Sequence, residues 1–177
     1  MELRPRYPIG TERLRLRPLT TADVPSLLSY RGRADICRYL PFEPMTREIL
    51  LGRLAGDFAR TALTAPGQGL TLGVELSADG SGVAAGQLIG DVVLMFENEV
   101  NRAGEIGYVF GPQFHGRGYA TEAVAAMVDL GFAELGLHRI VARLDARNVA
   151  SARLCERLGM RREAHLCLLY TSPSPRD

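Results

Sequence analysis

Apolar and polar positions follow two different periods along this chain, and the places where the period switches outline its elements. In TERLRLRPLT, Leu14 and Leu16 alternate with Arg13, Arg15 and Arg17, the two-residue rhythm of a strand with one buried and one wetted face. The arginines are expected to be simply the solvated side. Thr20 or Thr21 is placed to cap a helix running to about Arg31, and Thr46, followed by Glu48 and Ile49, opens another through about Arg60. Between them RADICRYLPFEP is expected to be a loop with at most one helical turn. TAPGQG then breaks the pattern. After it, LTLGVELSA, the turn DGSG and QLIGDVVLMFENE form two antiparallel strands, and NRAG turns the chain into a third, GEIGYVF. Alternation in this third strand puts Ile106, Tyr108 and Phe110 on one face and Glu105, Gly107 and Val109 on the other.

From Gly118 the period becomes helical, with Val124, Met127, Val128, Gly131, Phe132 and Leu135 at the spacing of one buried stripe. HRIVARLD returns to strand, NVASARLCERLGM is a capped helix stopped at Gly159, and MRREAHL is expected to be a final strand. Antiparallel strands first, followed by a strand-helix-strand crossover, give an α/β fold with a mixed sheet.

A chain of 177 residues suits one domain with a core of its own. The formal charge of +1 disfavours a nucleic-acid partner held by bulk electrostatics. No run approaches the roughly 18 apolar residues of a membrane span, and MELRPRYPIG lacks an apolar signal core, so a cytoplasmic protein without membrane attachment is expected. Cys37, Cys155 and Cys167 are odd in number and far apart, as reduced thiols are, and no metal-ligating cluster is evident. All 21 basic residues are arginine, which excludes a phosphate-loop lysine and a Schiff-base lysine.

The chemistry concentrates in HGRGYATEA, His115 to Ala123. Two glycines ahead of a helix expose backbone N–H groups to which the helix dipole adds partial positive charge, and the natural guest is a phosphate. A dinucleotide fold shares this device, since Gly116 and Gly118 give GxG and the next strand ends in Asp145. Thr121 at the third glycine position, and the stretch from Gly111 to His115 between strand and first glycine, count against it.

HGRGYATEAV together with GLHRIVARLDARNVASARLCERLGM closely resembles the GNAT superfamily of acetyl-CoA-dependent N-acetyltransferases, in particular the branch that acetylates ribosomal-protein N-termini. The family's phosphate loop has Gln or Arg, two residues, Gly, one residue, then Gly or Ala; His115, Gly118 and Ala120 hold those places, His115 being a departure tolerable if it acts through its backbone amide. Asn148, Ser151, Leu154, Leu158 and Gly159 match the downstream pattern, with Met160 in place of an aromatic residue. The resemblance implies a GNAT fold: a mixed, mostly antiparallel sheet with flanking helices, in which GEIGYVF and HRIVARL lie parallel and splay apart to admit pantetheine. Val109 and Phe110 would offer backbone groups to it as a missing strand would. The pyrophosphate would sit on Gly116, Arg117, Gly118, Tyr119 and Ala120, with a hydroxyl from Thr121, and Asn148 would meet the cofactor's amide chain or serve only as a helix cap.

Direct transfer needs a base for the amine, polarisation of the thioester carbonyl, and a proton for the departing thiolate. Glu105 is the candidate base and the Val109 amide the candidate polariser. For the acid, many relatives carry a tyrosine where this chain has Cys155; that thiol and Ser151 are the candidates, against the alternatives of a buried structural cysteine and plain helix surface. The expected acceptor is a primary amine, a protein N-terminus or else a small molecule, taken by a monomer or homodimer; a non-catalytic acyl-CoA-binding module is the alternative. Residues 1–166 are expected to form the acetyltransferase domain. CLLYTSPSPRD, Cys167 to Asp177, resembles an in-frame translation of a sequencing adapter and is expected to be non-native, truncating the last strand of the sheet.

Overall fold

The computed structural model describes residues 1–77 and 86–164. The DGSG turn, the end of the MRREAHL segment and the adapter-like tail lie outside them. Six strands form one sheet in the order β1 to β6: β1 (Ile9–Gly10), β2 (Leu14–Pro18), β3 (Gln68–Leu76), β4 (Leu88–Asn98), β5 (Ala103–Phe110) and β6 (Arg139–Val141). Every neighbouring pair is antiparallel except β5 and β6, which are parallel. This is the expected mixed sheet.

Side-chain alternation gives the sheet two packed faces. On one, Leu14, Leu16, Leu94, Phe96, Ile106 and Phe110 meet α4 (Tyr119–Ala133), whose Ala123, Val124 and Met127 are fully buried. On the other, Val109, Leu88 and Leu19 meet α1 (Val24–Arg31) and α3 (Arg47–Ala55) through Val24, Leu27, Leu50 and Leu54. The short α2 (Ala34–Cys37) supplies the single helical turn expected in its loop. Thr46 caps α3 by accepting the Ile49 amide at 3.3 Å. After Ala55 the helix gives way to a 3-10 turn at Asp57–Ala59, so the element expected to reach Arg60 is helical in two pieces.

Three expectations are corrected. The arginines of β2 are not merely wetted: Arg17 reaches both Asp23, through two 2.9 Å bonds, and Glu75 at 2.6 Å, because the 3-10 turn before α1 and strand β3 place carboxylates opposite it. HRIVARLD pairs for only three residues, Arg139 to Val141, since β5 turns away beyond Glu105 and leaves the remainder without a ladder neighbour. Met160 to Ala164 is not strand; there Glu163 is held by Arg139 and Arg161 instead. Among the described residues the sheet ends at β6.

Inside the second core sits an ion pair. Asp91 of β4 is fully buried and Arg31 at the end of α1 is 5% exposed. Arg31 Nε donates to Asp91 at 2.8 Å, the Tyr30 hydroxyl donates to the same carboxylate oxygen at 2.9 Å, and the guanidinium lies 5.0 and 5.1 Å from the Phe42 and Phe58 ring centres. Burial and the neighbouring Asp91 charge drive the Tyr30 phenol well above its ordinary pKa, so it remains a donor to that carboxylate. Removing one partner of such a pair strands a charge in the core. Arg31→Ala is therefore expected to lower unfolding free energy by about 3–5 kcal/mol, read by urea titration. Arg4→Ala, which breaks an exposed pair with Glu2, is expected to cost less than about 1 kcal/mol. Equal costs would contradict the assignment of Arg31 as the ion that fixes α1 to the sheet.

Candidate active site

Strand β5 delivers the chain through a 3-10 turn at Pro112–Phe114 to the glycine loop and then to α4. Gly116 and Gly118 adopt φ of 74° and 80°, in the left-handed region that costs a side-chain-bearing residue roughly 1–2 kcal/mol. Gly118 is the N-cap of α4, and the first intrahelical bond runs from Glu122 N to Gly118 O. The amides of Tyr119, Ala120 and Thr121 therefore precede the helical bonding pattern and point out of the helix end. A cavity of about 280 Å³ opens there, lined by Phe110, Phe114, His115, Gly116, Gly118, Tyr119, Ala120, Thr121 and Arg157. Amides and a dipole at one end and an arginine on the rim suit a diphosphate.

The loop is braced from the turn between β1 and β2. Glu122, in the first turn of α4, accepts from the Thr11 hydroxyl at 2.6 Å and from the Arg13 amide and Nε at 2.8 Å each. Arg13 also donates to the Arg117 carbonyl at 3.0 Å and lies 4.7 Å from the Tyr119 ring centre. Burial raises the Glu122 pKa, and the bonds from Thr11 and Arg13 outweigh it, leaving the carboxyl below its ordinary value. The brace is thus present above the ordinary glutamate range and is lost as pH falls through the lowered value. Arg117 is exposed and does not line the cavity; its carbonyl, rather than its side chain, is engaged.

Two expected backbone roles fall to other residues. The Gly111 amide donates to Ile89 O, and the register is one-to-one from Gly90↔Phe110 to Phe96↔Gly104. Alternate residues of β5, including Val109 opposite Asp91, are therefore bonded into β4. Those between them, Tyr108 and Phe110, turn their N–H and C=O groups toward β6, as Arg102 does when its carbonyl accepts from Arg139. The groups that the splay turns to the gap are those of Phe110 and Tyr108, not Val109, whose side chain fills the second core. The His115 amide is likewise committed, to Pro112 O at 3.2 Å, and its ring instead meets the Phe110 carbonyl at 3.0 Å.

The other candidates occupy the two faces of the fork. Asn148 caps α5 (Val149–Arg157), its Oδ1 accepting the Ser151 amide at 3.2 Å. Cys155 is buried, and Tyr108 crosses from β5 to meet this helix, its hydroxyl 3.3 Å from Ser151 O and 3.8 Å from Cys155 Sγ. Burial raises the thiol of Cys155, with the Tyr108 bond partly offsetting it. Glu105 lies on the opposite face, opposite Val141 in the last paired register of β5 and β6. Arg143 bonds both Glu105 and Glu97. Burial raises the Glu105 carboxyl pKa, the Arg143 charge lowers it in part, and Glu97 adds to the rise.

Arg157, Arg13 and Phe114 were not read as site residues from sequence. Arg157 sits in the last turn of α5, nine positions after the capping Asn148 that carries the motif, and donates to the Thr121 hydroxyl at 3.3 Å. Only the packing of α5 beside the N-terminus of α4 brings the two together.

Residues 13–161 match the Acetyltransferase (GNAT) domain family. The Bacillus subtilis N-acetyltransferase YnaD is 30% identical over 158 residues, covering 88% of this chain and 83% of that protein. A GNAT-family acetyltransferase structure from Bacillus anthracis superposes with a TM-score of 0.73 at 30% identity, covering 88% of this chain and 84% of the other. The spermidine N-acetyltransferase of Vibrio cholerae, solved with CoA and spermine, superposes at 0.68 with 25% identity, over 88% and 85% of the two chains.

For the acetyl-CoA that such enzymes use, Gly118→Asp adds a carboxylate at the phosphate end and a Cβ that would lie 3.3 Å from an Arg13 nitrogen. Its dissociation constant by calorimetry is expected to rise at least about tenfold, from like charge and left-handed strain acting together. Arg157→Ala, losing one charge-assisted donor, is expected to weaken binding by about tenfold. Unchanged affinity in both variants would remove the cavity as the diphosphate site.

Proposed function

As a chain that belongs to the GNAT acetyltransferase family, this protein is an acetyl-CoA-dependent N-acetyltransferase, and we propose that its acceptor is the free amino terminus of a protein, attacking the thioester directly. The observation that carries the acceptor reading is the state of the carboxylates that meet the segment following β6. Glu97 and Glu105 share Arg143, and Asp145 is held by Arg147 at 2.6 Å. A polyamine needs carboxylates spaced to meet its several ammonium groups; here arginines already neutralise them. A peptide terminus presents a single amine followed by backbone.

The loop after α2 supplies a wall for such a chain. A cavity of about 350 Å³ lies against residues 34–44, Cys37, Leu40 and Phe42 among its lining. The Tyr39 ring lies 5.3 Å from the Arg147 guanidinium, which ties this loop to the segment following β6. A small amine such as a polyamine is the second reading, favoured by the likeness to the spermidine enzyme of Vibrio cholerae. Free-thiol release measured with N-terminal peptides and with spermidine separates them: peptide turnover at least about tenfold above spermidine in kcat/KM is expected, and the reverse order overturns the assignment.

In the chemical step the amine must be neutral to attack. Glu105, on the acceptor face and with a raised pKa, supports a role as its proton acceptor through water. Burial is the largest cause of that rise and keeps the carboxylate basic; the Arg143 bond holds it in place. Activity should then rise with pH as Glu105 loses its proton. Glu105→Gln is expected to lower kcat by about 10²-fold or more, to abolish the acid limb of the kcat profile, and to leave the acetyl-CoA dissociation constant nearly unchanged. Parallel loss of kcat and cofactor affinity would make Glu105 structural, and full activity would return the base to another group.

A further inference from the structure

We infer that the Tyr108 hydroxyl, delivered from the sheet rather than from helix α5, donates the proton that the departing CoA thiolate takes up. The inference rests on the direct attack proposed above. A donor for this step must stand where the gap between β5 and β6 meets α5, must carry a proton at neutral pH, and must reach past the helix surface. Cys155, buried on α5, is a short side chain. Ser151, a turn earlier, is held by its amide in the N-terminal cap of the same helix. Tyr108 instead belongs to the stretch of β5 beyond the last β6 pairing at Glu105, and its backbone faces the gap. Its ring crosses to α5 and brings the phenol oxygen to 3.8 Å from Cys155 Sγ and 3.3 Å from Ser151 O.

The small thiol at position 155 is what admits that oxygen. A larger residue there would compete with the Tyr108 ring for the same volume, so the identities of the two positions are coupled by packing. Burial, the largest cause, pushes the phenol above its ordinary pKa, which keeps it protonated across the neutral range. The departing thiolate, taken from water in the same gap, gains basicity for the same reason.

The step balances. The amine nitrogen bonds the thioester carbon and yields its surplus proton to Glu105 through water. The C–S bond breaks with its electron pair on sulfur, sulfur takes the Tyr108 proton, and solvent reprotonates the phenolate oxygen as the CoA thiol leaves.

Tyr108→Phe keeps the ring and removes the donor. With the acceptor that the wild type turns over, kcat is expected to fall by about 10²-fold while the acetyl-CoA dissociation constant stays within about threefold. A second measurement needs no acceptor: the far-ultraviolet absorbance of the thiolate of bound CoA, titrated against pH. A hydrogen bond to a thiolate lowers its pKa, so the bound thiol is expected to titrate at higher pH in Tyr108→Phe than in the wild type. A kcat within threefold of wild type, or a parallel loss of kcat and acetyl-CoA affinity, would overturn the inference, and so would an unmoved thiol titration. Should the wild type turn over neither peptides nor amines, the acceptor assignment fails, and the bound-thiol titration still decides the role of Tyr108.

Discussion

Everything in this molecule is arranged around an unfinished strand pair. β5 and β6 run parallel for three residues and then part, and a sheet that opens exposes a row of backbone donors and acceptors that must find partners. On the β4 side β5 is fully laddered, so the opening is one-sided: Tyr108 and the Phe110 amide turn into it, the Phe110 carbonyl being met by the His115 ring. At its far end the glycine loop adds the amides of the α4 N-terminus. The gap and the loop are continuous because the same strand leads into both. A ligand with amides along its length and a diphosphate at one end satisfies both sets of groups at once, and acetyl-CoA has that form.

An opening in a sheet needs its margins held from outside, and in a chain whose basic residues are all arginine the holding is done by guanidinium forks. Arg13 and Glu122 tie the turn before β2 to the first turn of α4. Arg31 and Asp91 tie α1 to β4 within the core. Arg143 binds Glu97 and Glu105 where β5 and β6 part. These pairs differ in worth. The buried one costs several kcal/mol to break because a charge would be stranded, whereas the pair involving Arg143, 62% exposed, contributes little stability and matters through where it holds Glu105.

Period and glycine spacing made much of this visible in the sequence. The antiparallel run from β2 to β5 and most of the α4 stripe follow from local rules, and the structure carries them; Phe132, expected in that stripe, is instead 44% exposed, and Leu135 lies beyond the helix end at Ala133, because Ala123 and Leu130 complete the buried face. What sequence could not supply is parity. Alternation tells which side chains share a face, but which backbone groups are already bonded depends on the partner strand, and so Val109 is bonded into β4 while Tyr108 takes its expected place beside Phe110. The same limit applies to β6, whose residues read as strand for eight positions although its neighbour departs after three, and to Arg157, whose use depends on where α5 packs. The His115 amide was hidden for another reason: a 3-10 turn claimed it for Pro112.

Helix α5 sets the distance between the two halves of the chemistry. Ser151 and Cys155 lie near Tyr108, and Arg157 lines the cavity at the α4 N-terminus, so one helix spans from the proposed proton donor to the proposed phosphate site. At about 1.5 Å per residue the six positions from Ser151 to Arg157 cover about 9 Å along the axis. Among the described residues its attachment to α4 is one side-chain bond, from Arg157 to Thr121 at 3.3 Å, and the burial of Leu154 and Cys155. A diphosphate engaging both the α4 amides and Arg157 would add charge-assisted bonds across that seam. Binding of the cosubstrate there would do more than fill the cavity: it would fix the helix against which the Tyr108 phenol is positioned, and so couple cofactor binding to the placement of the proposed proton donor.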